Sequence, residues 1–181
     1  MPNSSLYLAL TTVQELLISF VNSDHFLAQL ALAFGDNFDV AVAQDLAQAW
    51  QDWDFNVIPE IEVLSALEMN GARGAFAVST NKIYLSEALL NDTNALVRVL
   101  LEEIGHKLDS VLNVRDSAGD EGAIFAALVL EERLTDAELK QLKSENDSGF
   151  VSVDGELIAV EQANIIGTAT SPVTLISKIL P

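Results

Sequence analysis

The sequence predicts an α+β domain, with helices first and a small sheet folded in later. Three observations carry this. Apolar residues recur at helical spacing through the first fifty positions. After Trp53 the pattern shifts to alternation, with Ile61 and Val63 set against Glu60 and Glu62. An alternating stretch near the end, "GFVSVDGELIAVEQ", carries Asp154-Gly155 at its centre, a strong two-residue hairpin signal.

The elements follow in order. "YLALTTVQELLISFVNSDHFLAQLALAFGD" reads as two helices, the second capped by Ser23 or Asp24 and ended by Gly35. A third helix is expected at about 38–51, with Asn37 as its N-cap. "GAFAVSTNKIYLSEAL" predicts two short strands, about 74–79 and 82–86, turning at Thr80-Asn81. A long helix follows at about 92–112, and then a strongly apolar one at about 120–133. "TDAELKQLKSEN" predicts a short helix with Thr135 and Glu138 as a capping box. Residues 1–162 are expected to form one domain, whose first 53 residues are helical, and residues 163–181 a linker or tail.

Composition narrows the function classes. Half of the 181 residues are hydrophobic, enough for a core without staples. There is no cysteine, which excludes disulfides, thiolate metal sites and a cysteine nucleophile. Acidic residues outnumber basic ones 27 to 9, for a net charge of −18. Such a chain repels phosphate backbones and anionic membrane surfaces and attracts divalent cations. The first basic residue is Arg73, so the positive start of a Sec or Tat signal is missing. A soluble protein is expected, cytoplasmic or exported without a leader. Oligomeric state is not legible.

The stretch "LLEEIGHKLDS", residues 100–110, carries the chemistry. On a helical wheel Val97, Leu100, Leu101, Ile104, Leu108, Val111 and Leu112 share one broad face. Glu102, His106 and Asp109 lie opposite, with Glu103 to one side. Taken alone, this is an ordinary amphipathic helix with a solvated polar stripe. The alternative is a ligand set, because residues at i and i+4 reach one ion together and a neighbouring Glu can serve as general base. Further acids open the next helix: Asp120 and Glu121, which either offset its dipole or complete a site. A carboxylate opening a helix this apolar is expected to be partly buried and to want a cation. Elsewhere, His25 reads as surface, and Trp50 and Trp53 as core or rim. Tyr84 reads as core, or as a side chain facing a cleft.

The order of elements (helices, strand, hairpin, motif helix, helix opening on an acid) resembles the zincin metallopeptidase fold, in which an edge strand above the active-site helix guides an extended substrate. "EEIGHKLDS" with "DEGAIFAAL" resembles the anthrax-lethal-factor-like branch, whose motif is His-Glu-x-Gly-His-x-x-Asp. That resemblance implies Glu103 as general base and His106, Glu102 and Glu121 as metal ligands. Asp109, Asp120 and Tyr84 would be in support. Residues 57–161 are also similar to an N-terminal module of large cyanobacterial proteins that often continue into calcium-binding repeats. The motif departs from the pattern. Glu102 replaces the first His, the loop before Glu121 lacks a Tyr, and an alternative register puts Ala123 at the ligand position.

Two carboxylates and one imidazole would leave a bound dication near neutral and shift preference away from zinc, towards manganese, magnesium or calcium. The expected function is therefore a metallopeptidase-related domain, degenerate or weakly active, that binds a divalent cation. The alternatives are an active peptidase acting on an extended peptide, and a non-catalytic N-terminal interaction module of an exported protein.

Overall fold

A computed structural model describes residues 4–115 and 117–163. Three helices come first: α1 (Ser4–Val21), α2 (Phe26–Phe34) and α3 (Val40–Gln51). Strand β1 (Glu60–Leu64) and the hairpin β2 (Gly74–Ala77) and β3 (Lys82–Ser86) follow. A 3-10 turn at Glu87–Asn91 leads into α4 (Thr93–Leu112), then α5 (Glu121–Val129) and α6 (Asp136–Leu142). The hairpin β4 (Ser148–Val153) and β5 (Glu156–Ala163) ends the described chain. The expected tail begins inside β5 at Ala163, and residues 164–181 lie outside the described residues.

The five strands form one mixed sheet in the order β1-β3-β2-β5-β4. β1 runs parallel to β3, while β2 is antiparallel to both β3 and β5. Both hairpins turn where the sequence places them, at Asn81 and at Asp154-Gly155, and all three residues have positive φ. Strand alternation divides the sheet between two cores. Phe76, Ile83 and Leu85 pack towards α4. Ala75, Tyr84, Val151 and Val160 join Leu64 and Met69 in the other core. Tyr84 therefore belongs to the second core, where its hydroxyl meets Thr80 Oγ1 at 3.2 Å.

Some helix ends differ from expectation. Asp39, not Asn37, caps α3, because its carboxylate reaches the N–H groups of both Ala41 and Val42. No side chain caps α2, which starts after His25. α5 stops at Val129, and Glu131 just beyond it has a φ of 57°, which an α-helix does not accept. Asp92 caps α4, and the Thr135–Glu138 capping box forms as expected. α1 alone among the described helices has the length and hydropathy to cross a membrane. Its Ala9, Val13, Leu17, Phe20 and Val21 are nonetheless buried in the protein core.

Two glycines bring α4 and α5 together. A Cβ on Gly105 would lie 2.7 Å from Gly122 Cα, and one on Gly122 would lie 2.6 Å from both the Glu102 carbonyl and His106 Nε2. The helices thus meet backbone to backbone, and the polar face of α4 is pressed against the start of α5. Inside a helix, Gly→Ala ordinarily gains about 1 kcal/mol. Gly105→Ala should instead lower the unfolding free energy by about 1–3 kcal/mol, through overpacking. Urea unfolding measures this, and a variant as stable as wild type would contradict the contact.

Candidate functional site

The polar stripe of α4 is not solvated. Glu102, Glu103, His106 and Asp109 are all buried, because α5 covers one side of the helix and the sheet covers another. The amphipathic reading fails for a physical reason: the side of α4 that carries these residues is covered. The exposed residues of the helix are Asn94 near the start and Ser110 and Val111 near the end, Val111 contrary to its expected place on the apolar face. The covered polar residues meet one another and the acids of later elements.

His106 is the centre of the cluster. Its Nδ1 lies 2.8 Å from Glu121 Oε1, 3.3 Å from Glu161 Oε2 and 3.7 Å from Asp147 Oδ2. Its Nε2 has no hydrogen-bond partner and stands 3.9 Å from Asp120 Oδ1. One ligand atom each from Glu102, His106 and Asp120 lie within 4.8 Å of one another, and the same is true of His106, Glu121 and Asp147. Oxygens bound to one calcium ion at about 2.3–2.6 Å can be no more than about 5 Å apart. A buried Glu/His/Asp group that could hold a metal ion is therefore present.

The expected ligands separate into different positions. Glu102 and His106 do share a site. Glu121, expected as the third ligand, instead holds the other ring nitrogen, and its neighbour Asp120 completes the triad with Glu102 and His106. Asp120 also caps α5 by accepting from Ala123 N–H. Glu103 points elsewhere. Its Oε1 accepts from Ala163 N–H at 3.2 Å, Oε2 has no partner, and a Cβ on Gly74 would come within 2.5 Å of Oε1. Asp109 acts on the loop between α4 and α5, accepting from Asn113 Nδ2 and from the backbone and hydroxyl of Ser117. It fixes the path that delivers Asp120 and Glu121. Asp147 and Glu161 had no signal in the sequence. Both sit at the open end of the Asp154-Gly155 hairpin, and only the pairing of β5 with β2 brings them to the histidine.

The electrostatics follow from burial. Desolvation, with Asp120 adding to it, pushes the Glu102 carboxyl up from its ordinary 4.5 to about 8, against the pull of His106, Arg98 and Arg73. Burial also raises Glu103 well above the carboxylate range, and raises Asp120 and Glu121. For His106 burial opposes the charge, but the Glu121 hydrogen bond and the charges of Glu103, Glu121 and Asp120 prevail and hold its pKa well above normal.

Every one of these groups binds protons more tightly when folded. Glu102 contributes stability below about pH 4.5 and loses it as pH climbs towards 8. His106 acts in the same direction, its share being full below 6.5 and lost only above its raised folded value. In chelator, the midpoint of thermal unfolding should therefore fall steadily from about pH 5 to about pH 9. A flat or rising profile, read by circular dichroism, would contradict this charge arrangement.

No protein-family model, curated protein or solved structure matches the chain.

Proposed function

We propose that this is a divalent-cation-binding domain on a metallopeptidase-related scaffold, holding its ion between Glu102, His106 and Asp120 without peptidase activity. The observation that carries the reading is His106, whose Nε2 is buried without a hydrogen-bond partner 3.9 Å from Asp120 Oδ1, and whose ring is grouped with the carboxylates of Glu102 and Asp120. The opposite nitrogen is engaged by Glu121 at 2.8 Å. A carboxylate that accepts the Nδ1–H hydrogen bond orients the ring and leaves Nε2 as the electron-pair donor once the ion displaces its proton, the usual support for a metal-ligating histidine. One imidazole and two carboxylates suit manganese before zinc, and their charge leaves a bound dication near neutral.

Two features speak against catalysis. A general base must reach a water at the ion. Glu103 is wholly buried, accepts from the Ala163 amide, and burial raises its carboxyl well above its ordinary range. The resemblance also assigns an extended substrate to an edge strand. Here β3, which carries Tyr84, would be that edge, and β1 and β2 already pair with it on its two sides.

Untagged protein should bind manganese or zinc and unfold at a higher temperature with the ion present. Glu102→Gln combined with Asp120→Asn preserves shape and the α5 cap. It should weaken binding at least tenfold, a loss of about 1.4 kcal/mol or more, by titration calorimetry. Unchanged affinity would overturn the site. Peptide libraries should be left uncut. Cleavage by wild type that disappears in Glu103→Gln would instead establish an active peptidase.

A further inference from the structure

The proposed ligands come from two helices, so the ion depends on where α5 begins as much as on α4. Glu102 and His106 stand one turn apart on α4, and that helix alone places them. Asp120 is different. It is the N-cap of α5, at the end of the connection that leaves α4 at Leu112. A ligand held about 1 Å too loosely no longer serves the same ion, so the connection itself must be fixed.

One device grips the backbone beside the ligand. Asp120 N–H donates to the carbonyl of Leu142, the last residue of α6, at 2.9 Å. Gly119 has a φ of 101°, and a Cβ there would lie 2.5 Å from that same carbonyl oxygen.

The other device is a closed set of hydrogen bonds around Asp109, a buried side chain that is not one of the three ligands. Ser117 N–H donates to Asp109 Oδ2 at 3.0 Å, and the Ser117 hydroxyl donates to Oδ1 at 2.6 Å. The Asn113 amide donates one hydrogen to Oδ1, at 2.7 Å, and the other to the carbonyl of Phe34, at 3.0 Å. Ser117 Oγ also lies 3.0 Å from Asn113 Nδ2 and 3.1 Å from the Phe34 carbonyl, so the four groups close on one another. Phe34 is a firm anchor. It ends α2, where a helix leaves carbonyls without partners, and its ring packs on Phe125 of α5 with centroids 5.8 Å apart. Ser117 lies three residues before Asp120, so fixing it leaves the ligand little slack.

We infer that Asp109 is a positioning residue of the cation site. With Asn113 and Ser117 it ties the α4–α5 connection to the end of α2, and it sets ion affinity through Asp120 without touching the ion. The inference rests on the reading that Glu102, His106 and Asp120 hold the ion, and it adds residues whose effect must pass through one of those ligands.

The test is a double-mutant cycle on the full chain, read by manganese titration calorimetry. Asp109→Asn offers one acceptor oxygen in place of two, so it cannot serve all three donors. It should weaken manganese binding about tenfold. In the Asp120→Asn background the same change should weaken binding by less than about twofold, because the ligand it positions is already lost. Ser117→Ala should also weaken binding, and Ser117→Thr, which keeps the hydroxyl, should bind as wild type does. That pair carries the test if Asp109→Asn folds poorly. The inference is overturned if Asp109→Asn binds manganese as tightly as wild type, or if Ser117→Thr binds no better than Ser117→Ala. It is overturned equally if Asp109→Asn loses as much affinity in the Asp120→Asn background, which is what a general loosening of the fold would produce. Wild type that takes up no manganese would overturn the cation reading as well, whereas additive losses would overturn this inference alone.

Discussion

The structure depends on one buried imidazole that six carboxyl groups approach, at a place where two helices touch backbone to backbone. Glu102, Glu103, Asp120, Glu121, Asp147 and Glu161 come from four segments of the chain, yet all act electrostatically on His106 or lie within a few ångströms of it. Removing this much carboxylate from water is unfavourable by several kcal/mol for each ion that stays charged. Proton uptake relieves part of that penalty and the His106 charge another part. The fold tolerates the remainder because the surrounding cores are extensive, with α4 buried along most of its length.

The geometry that concentrates the charge is steric in origin. Gly105 and Gly122 let α4 and α5 approach until a single added methyl group would collide. That approach brings the α5 N-terminus, with Asp120 and Glu121, onto the side of α4 that carries Glu102 and His106. The partial positive charge of a helix start favours acids there. It does not account for burying both of them beside two further glutamates. Gly74 does the same for Glu103, since its missing side chain leaves room for the carboxyl group beneath β2. Small residues thus set where the polar groups go, and the polar groups set what the domain can bind.

Much of this was legible in the sequence and some of it could not have been. The α+β class, the two hairpin turns and the capping box rest on local chemistry, which is what periodicity and turn residues report; the approach of an acid at the start of α5 to His106 was suggested by the order of the elements instead. The wheel of α4 misled, because period alone separates an apolar face from a polar one and does not say whether the polar face meets water. Asp120 and Glu121 exchanged roles because adjacent residues at a helix start point in different directions, and only the cap geometry decides which one turns to Nε2. Asp147 and Glu161 were silent, since a strand carboxylate has no signature until pairing fixes its register. Here the pairing is β5 against β2, a contact across more than eighty residues.

On the proposed kinship, Glu102 stands where the motif has histidine, and this connects the electrostatics to function. An ion held by two neutral imidazoles and one carboxylate keeps a net positive charge, and that charge acidifies a bound water and polarises a carbonyl. Glu102 and Asp120 together cancel the charge of a dication before any water or substrate arrives. What such an ion supplies instead is cohesion, because it lowers the penalty of burying the same carboxylates that bind it. The desolvation that raises the Glu102 carboxyl to about 8 is the same unfavourable burial that a cation would relieve. On the proposed reading an ion would supply that relief, and Glu103, wholly buried, is poorly placed to act as a base upon it. Glu102 in place of a motif histidine and the pairing of β3 on both sides then favour, on the same reading, an ion that holds the domain together over one that cleaves a peptide.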